Sequence, residues 1–89
     1  MTRFRRLGAV EVPVDPVFAA AAVDDDATLA EMRDLHRRTG YLADPHTAVG
    51  IAAAAAAGVV GGELPVVCMA TAHPAKFPDA VEQATGVRP

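Results

Sequence analysis

Six successive alanines at positions 52–57, directly behind Gly50 and Ile51, constrain this chain more than any other feature. Alanine gives up no side-chain freedom in a helix, so the run has very high helix propensity. Its small side chains also let another backbone approach closely. The core suffers in return, because alanine buries little apolar area beside Leu or Phe. The 52% apolar fraction therefore overstates the available core, since it includes only three Phe, one Tyr and no Trp. A chain of 89 residues is at most one small domain, and a body of that size buries only about 60 to 65% of its unfolded surface. Marginal stability and reliance on a partner surface are expected.

Charge removes several classes of function. The net charge is −3, and the basic residues gather only at Arg3, Arg5 and Arg6, which leaves no electrostatic footprint for nucleic acid or an anionic membrane. The longest apolar stretch, residues 48–60, is too short and too interrupted by glycine to cross a bilayer. The N-terminus lacks an apolar stretch followed by a cleavage site. A single cysteine, Cys68, has no partner for an internal disulfide and no neighbour at metal-ligand spacing, so a reducing cytoplasm is expected.

Along the chain, residues 1–16 combine Arg3, Arg5, Arg6, Pro13 and Pro16 with alternating Val10, Val12 and Val14. They read as a short edge strand or a poorly ordered tail. Residues 17–23 are seven apolar residues between Pro16 and Asp24 and suit a short buried strand, although alanine prefers helix. Asp24, Asp25 and Asp26 then supply caps and negative charge for a helix over about residues 27–38. A capping cluster is preferred there to a metal site, since no further ligands follow at a fixed spacing. Leu29, Met32 and Leu35 share one face of that helix, Arg33, Arg37 and Arg38 complement its C-terminal end, and Gly40 stops it. His36 lies among charged residues and reads as surface.

A second helix begins at Pro45, because Asp44 must be extended before the proline. Residues 59–64 connect it to the strongest strand, residues 65–70, which is apolar at successive positions and so should be covered on both faces, as in a parallel sheet. Pro78 opens a last helix with Val81 and Ala84 facing inward and Gly86 as its end. The order β-α-α-β-α predicts an α/β fold with a partial three-layer parallel sheet. Two parallel strands do not close a core, so the chain reads as a piece of a larger sheet.

Two polar blocks carry the chemistry: GYLADPHTAVG at 40–50 and MATAHPAKFPDAV at 69–81. They resemble the C-terminal segment of threonine synthase, a pyridoxal-phosphate enzyme with the tryptophan-synthase-β-like fold that converts O-phosphohomoserine and water to threonine and phosphate. The resemblance covers about residues 17–89. Relatives of the same cofactor fold, such as serine or threonine dehydratase and the tryptophan synthase β chain, are not expected to carry the AHPAKF string.

The resemblance implies that Thr71 lies by the pyridine nitrogen of the cofactor, where a neutral hydroxyl polarises the ring less than a carboxylate would. On position alone, Thr71 would read as a strand-end hydroxyl bonding nearby backbone. His46 and His73 are candidate pocket residues that could bind a phosphate, relay a proton or lock a loop. Lys76, the sole lysine, is a candidate pocket-edge cation, its stem packed by Phe77. The family's Schiff-base lysine and glycine-rich phosphate loop belong to an upstream segment with no match here, so no catalytic residue is expected in this chain and Lys76 should form no Schiff base. The expected partner is a separately encoded N-terminal part, or a second copy of the chain. A non-catalytic fragment that docks on a complete enzyme is the alternative.

Overall fold

The computed structural model describes residues 3–7, 10–14 and 21–89. Two short strands, β1 (Arg3–Leu7) and β2 (Val10–Val14), pair antiparallel with Arg5 opposite Val12. Sequence reading expected at most one strand here and missed β1. Pro13 lies opposite Phe4, which a two-stranded ladder tolerates because each of its strands is an edge and a proline needs no partner on the open side.

Three helices follow: α1 (Asp25–Thr39), α2 (Pro45–Ala56) and α3 (Pro78–Thr85). Asp24 caps α1, its carboxylate accepting the Ala27 N–H at 2.8 Å, and Asp25 and Asp26 fill the first turn. At the other end His36, Arg37 and Arg38 face the negative end of the helix dipole. Gly40 closes α1 with φ of 78° and donates its N–H to the His36 carbonyl. That left-handed conformation is the one glycine adopts without a Cβ penalty. Gly86 ends α3 in the same way.

The core sits where α1 packs against α2 and α3. Met32, Ala48, Val81 and Ala84 are buried together, with Leu29, Leu42 and Ala80 packed around them. Only Met32 and Val81 bring bulk to this centre, as the alanine content requires. A polar tie reinforces it: Arg33 Nε donates to the Ala84 carbonyl at 3.2 Å, joining α1 to the C-terminal end of α3. That carbonyl belongs to the last turn of α3, where a cation is favoured.

The expected parallel sheet is not formed by the described residues. Residues 65–70 belong to no strand, and residues 21–23 of the first expected strand are likewise irregular; residues 17–20 lie outside the described part. The order seen is β-β-α-α-α, with one 3₁₀ turn before α3, in place of β-α-α-β-α. The physical reason is pairing. A strand is held by a neighbour's backbone, and no other described segment pairs with residues 65–70. Leu64, Val67 and Met69 are accordingly 80%, 83% and 72% exposed.

Candidate functional site

The octet at 70–77 folds as a tight turn that leads into α3. His73 is extended, and its Nδ1 accepts the Ala75 N–H at 3.1 Å, which caps the 3₁₀ turn Pro74–Lys76. The Lys76 and Phe77 N–H groups close the turn on the His73 and Pro74 carbonyls, each at 3.0 Å. Phe77 then passes its own carbonyl to the Val81 N–H, so the turn is continuous with α3. Pro74 and Pro78 each begin a helical turn, where a missing N–H costs nothing.

The other polar block is organised by Asp44. Its side chain is 1% exposed and caps α2, accepting the backbone N–H groups of His46 at 2.9 Å and Thr47 at 3.2 Å. The Thr47 hydroxyl donates to the second carboxylate oxygen. Burial by itself would push the Asp44 carboxyl up, but the bonds from Thr47 and His46 outweigh it and hold the group below the usual aspartate value. The same carboxylate lies 3.5 Å from His46 Nδ1, while the imidazole itself remains open to solvent.

The two blocks meet through rings. His46 and Phe77 lie with centroids 4.8 Å apart and planes tilted by 52°, which joins the start of α2 to the end of the 3₁₀ turn. Sequence reading paired Phe77 only with the stem of Lys76 and saw Asp44 only as an extended residue before proline. The Asp-Pro pair at a helix start was the available signal for the cap. No sequence signal announced the ring contact, because it joins residues of different elements.

Thr71 is exposed and enters no hydrogen bond among the described residues, and His73 and Lys76 are also exposed. Two surface depressions among the described residues lie elsewhere. One runs between α1 and α2 along Ala27, Ala30, Ala52 and Ala55, and the other lies by Thr28, Leu29 and Pro45. Neither is lined by Thr71, His46, His73 or Lys76. Among the described residues no three metal-ligating side chains gather, and no helix is long and apolar enough to cross a membrane. The arrangement sets polar groups on an exposed turn, with an open apolar segment leading to it.

Comparison with known proteins shows what the chain is similar to. Residues 47–89 match the family described as "Threonine synthase, C-terminal". Curated relatives extend the match: a threonine synthase of Pseudomonas aeruginosa is 43% identical over 68 residues, covering 76% of this chain and 14% of the relative. One from Eremothecium gossypii is 40% identical over 89 residues, covering 90% and 17%. The crystal structure of a PLP-bound threonine synthase from Brucella melitensis superposes with a TM-score of 0.66 at 48% identity, over 73% of this chain and 14% of that one. The chain thus resembles the C-terminal segment of threonine synthases, and it spans less than a fifth of the length of these relatives. The structural likeness also agrees with the fold family expected from the two polar blocks.

Proposed function

We propose that this chain supplies one wall of a pyridoxal-phosphate site that converts O-phosphohomoserine and water to threonine and phosphate. The observation that carries the proposal is the exposed path from Leu64 to Thr71: an apolar segment, open on its faces, that ends in an exposed hydroxyl. In the assembled enzyme residues 65–70 would enter a parallel sheet and gain the backbone partners they lack here. Thr71 would then stand at the end of a buried strand.

The residues present fit the cofactor as contributors. The Thr71 hydroxyl, free of other bonds among the described residues, can face the pyridine nitrogen as a neutral partner. Bound pyridoxal phosphate supplies an electron sink at the substrate's α-carbon. Phe77 and Asp44 hold His46 beside the turn, and His73, which caps the turn, orients it. Lys76 lies exposed on the 3₁₀ turn, where it can stand at the edge of the pocket. The chain alone is accordingly inactive and does not hold the cofactor covalently. Its exposed free thiol at Cys68 suits a reducing cytoplasm.

Co-expression with a threonine synthase truncated before its own C-terminal segment tests the proposal. Phosphate release from O-phosphohomoserine should return with the wild-type chain and fall sharply with Thr71→Asp, which would hold the ring nitrogen protonated. Two soluble pieces that together release no phosphate would overturn the proposal. A Lys76-dependent absorbance band from the lone chain with pyridoxal phosphate would overturn the pocket-edge assignment of Lys76.

A further inference from the structure

We infer that His46 is a positioning residue for the turn that follows Thr71: its ring seats Phe77, and Phe77 sets the angle at which the segment carrying Thr71 meets α3. That Thr71 faces the cofactor there rests on the proposed function, whereas the coupling stands on the contacts alone. Three roles were open to His46 in sequence: binding a phosphate, relaying a proton and locking a loop. The contacts favour the third.

Phe77 is the joint between the turn and α3. Its N–H bonds back to the Pro74 carbonyl and its own carbonyl accepts the Val81 N–H, so turn and helix meet at this one residue. The backbone there, with φ of −132° and ψ of 55°, lies outside helical values, and α3 starts without a side-chain cap. Local bonding therefore closes each half without fixing the angle between them. That angle depends on where the Phe77 ring is seated. The ring it meets is that of His46, with centroids 4.8 Å apart and planes tilted by 52°, a favourable arrangement for two aromatic groups.

His46 is in turn fixed by Asp44. That residue is 1% exposed and accepts the His46 backbone N–H at 2.9 Å, which places the ring's point of attachment in the first turn of α2. Its carboxylate is committed to the cap, both oxygens accepting from His46 or Thr47. The ring Nδ1 lies 3.5 Å away, beyond the reach of about 2.6 to 3.2 Å that suits proton transfer. The pair is therefore built to place the ring rather than to relay its proton.

Thr71 stands just ahead of His73, the cap of the same turn. A turn that swings about Phe77 carries the Thr71 hydroxyl with it. Because Thr71 is assigned to the cofactor and not to the substrate, its displacement should slow turnover without weakening substrate binding.

The test compares His46→Ala with His46→Phe, which keeps a ring and removes both nitrogens. His46 is exposed, so circular dichroism should show both variants folded as the wild type. In the full chain, amide residual dipolar couplings should place residues 71–77 and α1 in one alignment for the wild type and His46→Phe. In His46→Ala the couplings of residues 71–77 should shrink to less than about half, the averaging of a loosened segment, while those of α1 stay unchanged. In complementation with the truncated synthase, His46→Ala should lower kcat by about tenfold or more at near-constant KM for O-phosphohomoserine, and His46→Phe should recover most of the loss.

Equal losses in the two variants would overturn the positioning role, because they would mean that the ring nitrogens are used. Unchanged couplings in His46→Ala, or a raised KM with kcat preserved, would do the same. If the wild-type pieces together release no phosphate, the proposed function falls, and the couplings still decide whether His46 holds the turn.

Discussion

Asp44 shows how much one residue decides in a small body. Its carboxylate caps α2, binds the Thr47 hydroxyl and lies against the His46 ring, all while buried. Because its folded pKa is lowered, its stabilisation is complete above the unfolded value and lost as pH falls through the folded one. Acid titration followed by circular dichroism should therefore show stability falling below about pH 4, the ordinary aspartate range. Asp44→Asn should flatten that part of the profile, and an unchanged slope would remove Asp44 as its source. Phe77→Leu addresses the neighbouring contact. It should release the His46 ring, seen as loss of the ring-current shift on its protons, at a cost of about 0.5 to 1.5 kcal/mol. The chain disclosed Thr71, His46, His73 and Lys76 as residues of interest through their motifs. It did not disclose that His46 meets Phe77, since that contact depends on how α2 and the turn before α3 are set against each other.

At the scale of elements, local signals and outcomes agree wherever local chemistry decides. Asp24 and Gly40 bound α1, Pro45 starts α2, and Pro78 and Gly86 bound α3, each for a reason contained within a few residues. Gly40→Ala should lower stability by about 1 to 2 kcal/mol in chemical denaturation, from the backbone conformation alone. Nothing lies within 4 Å of an added Cβ there, so no steric clash contributes. Residues 65–70 are the contrasting case. Their apolar run was legible, and the strand it implied is unmade here, where no described segment pairs with it. Val67 is 83% exposed, so Val67→Glu should alter the stability of the lone chain by no more than about 0.5 kcal/mol. In complementation the same change should abolish phosphate release, and full activity would argue against burial of this segment in a sheet.

The molecule as a whole rests on very few side chains. Met32 and Val81 are the bulky members of a centre otherwise made of alanine, so Met32→Ala should cost about 2 to 5 kcal/mol. For a body this small that loss should leave the lone chain largely unfolded by circular dichroism, and a cooperative transition of undiminished midpoint would contradict it. The antiparallel pairing of β1 and β2 belongs to this scale as well, because Arg-rich residues 3–7 carry no apolar alternation in sequence and are strand through their pairing with β2. Sequence by itself determined where the helices begin and end and which family the two polar blocks resemble. Caps, prolines and glycines act over a single turn, and the blocks are read directly from residue order. Tertiary structure alone decided that Asp44 is buried, that His46 lies on Phe77, that Arg33 reaches α3 and that residues 65–70 stand open. Those outcomes depend on which surfaces come together, and a pattern along the chain carries no record of a partner distant in sequence.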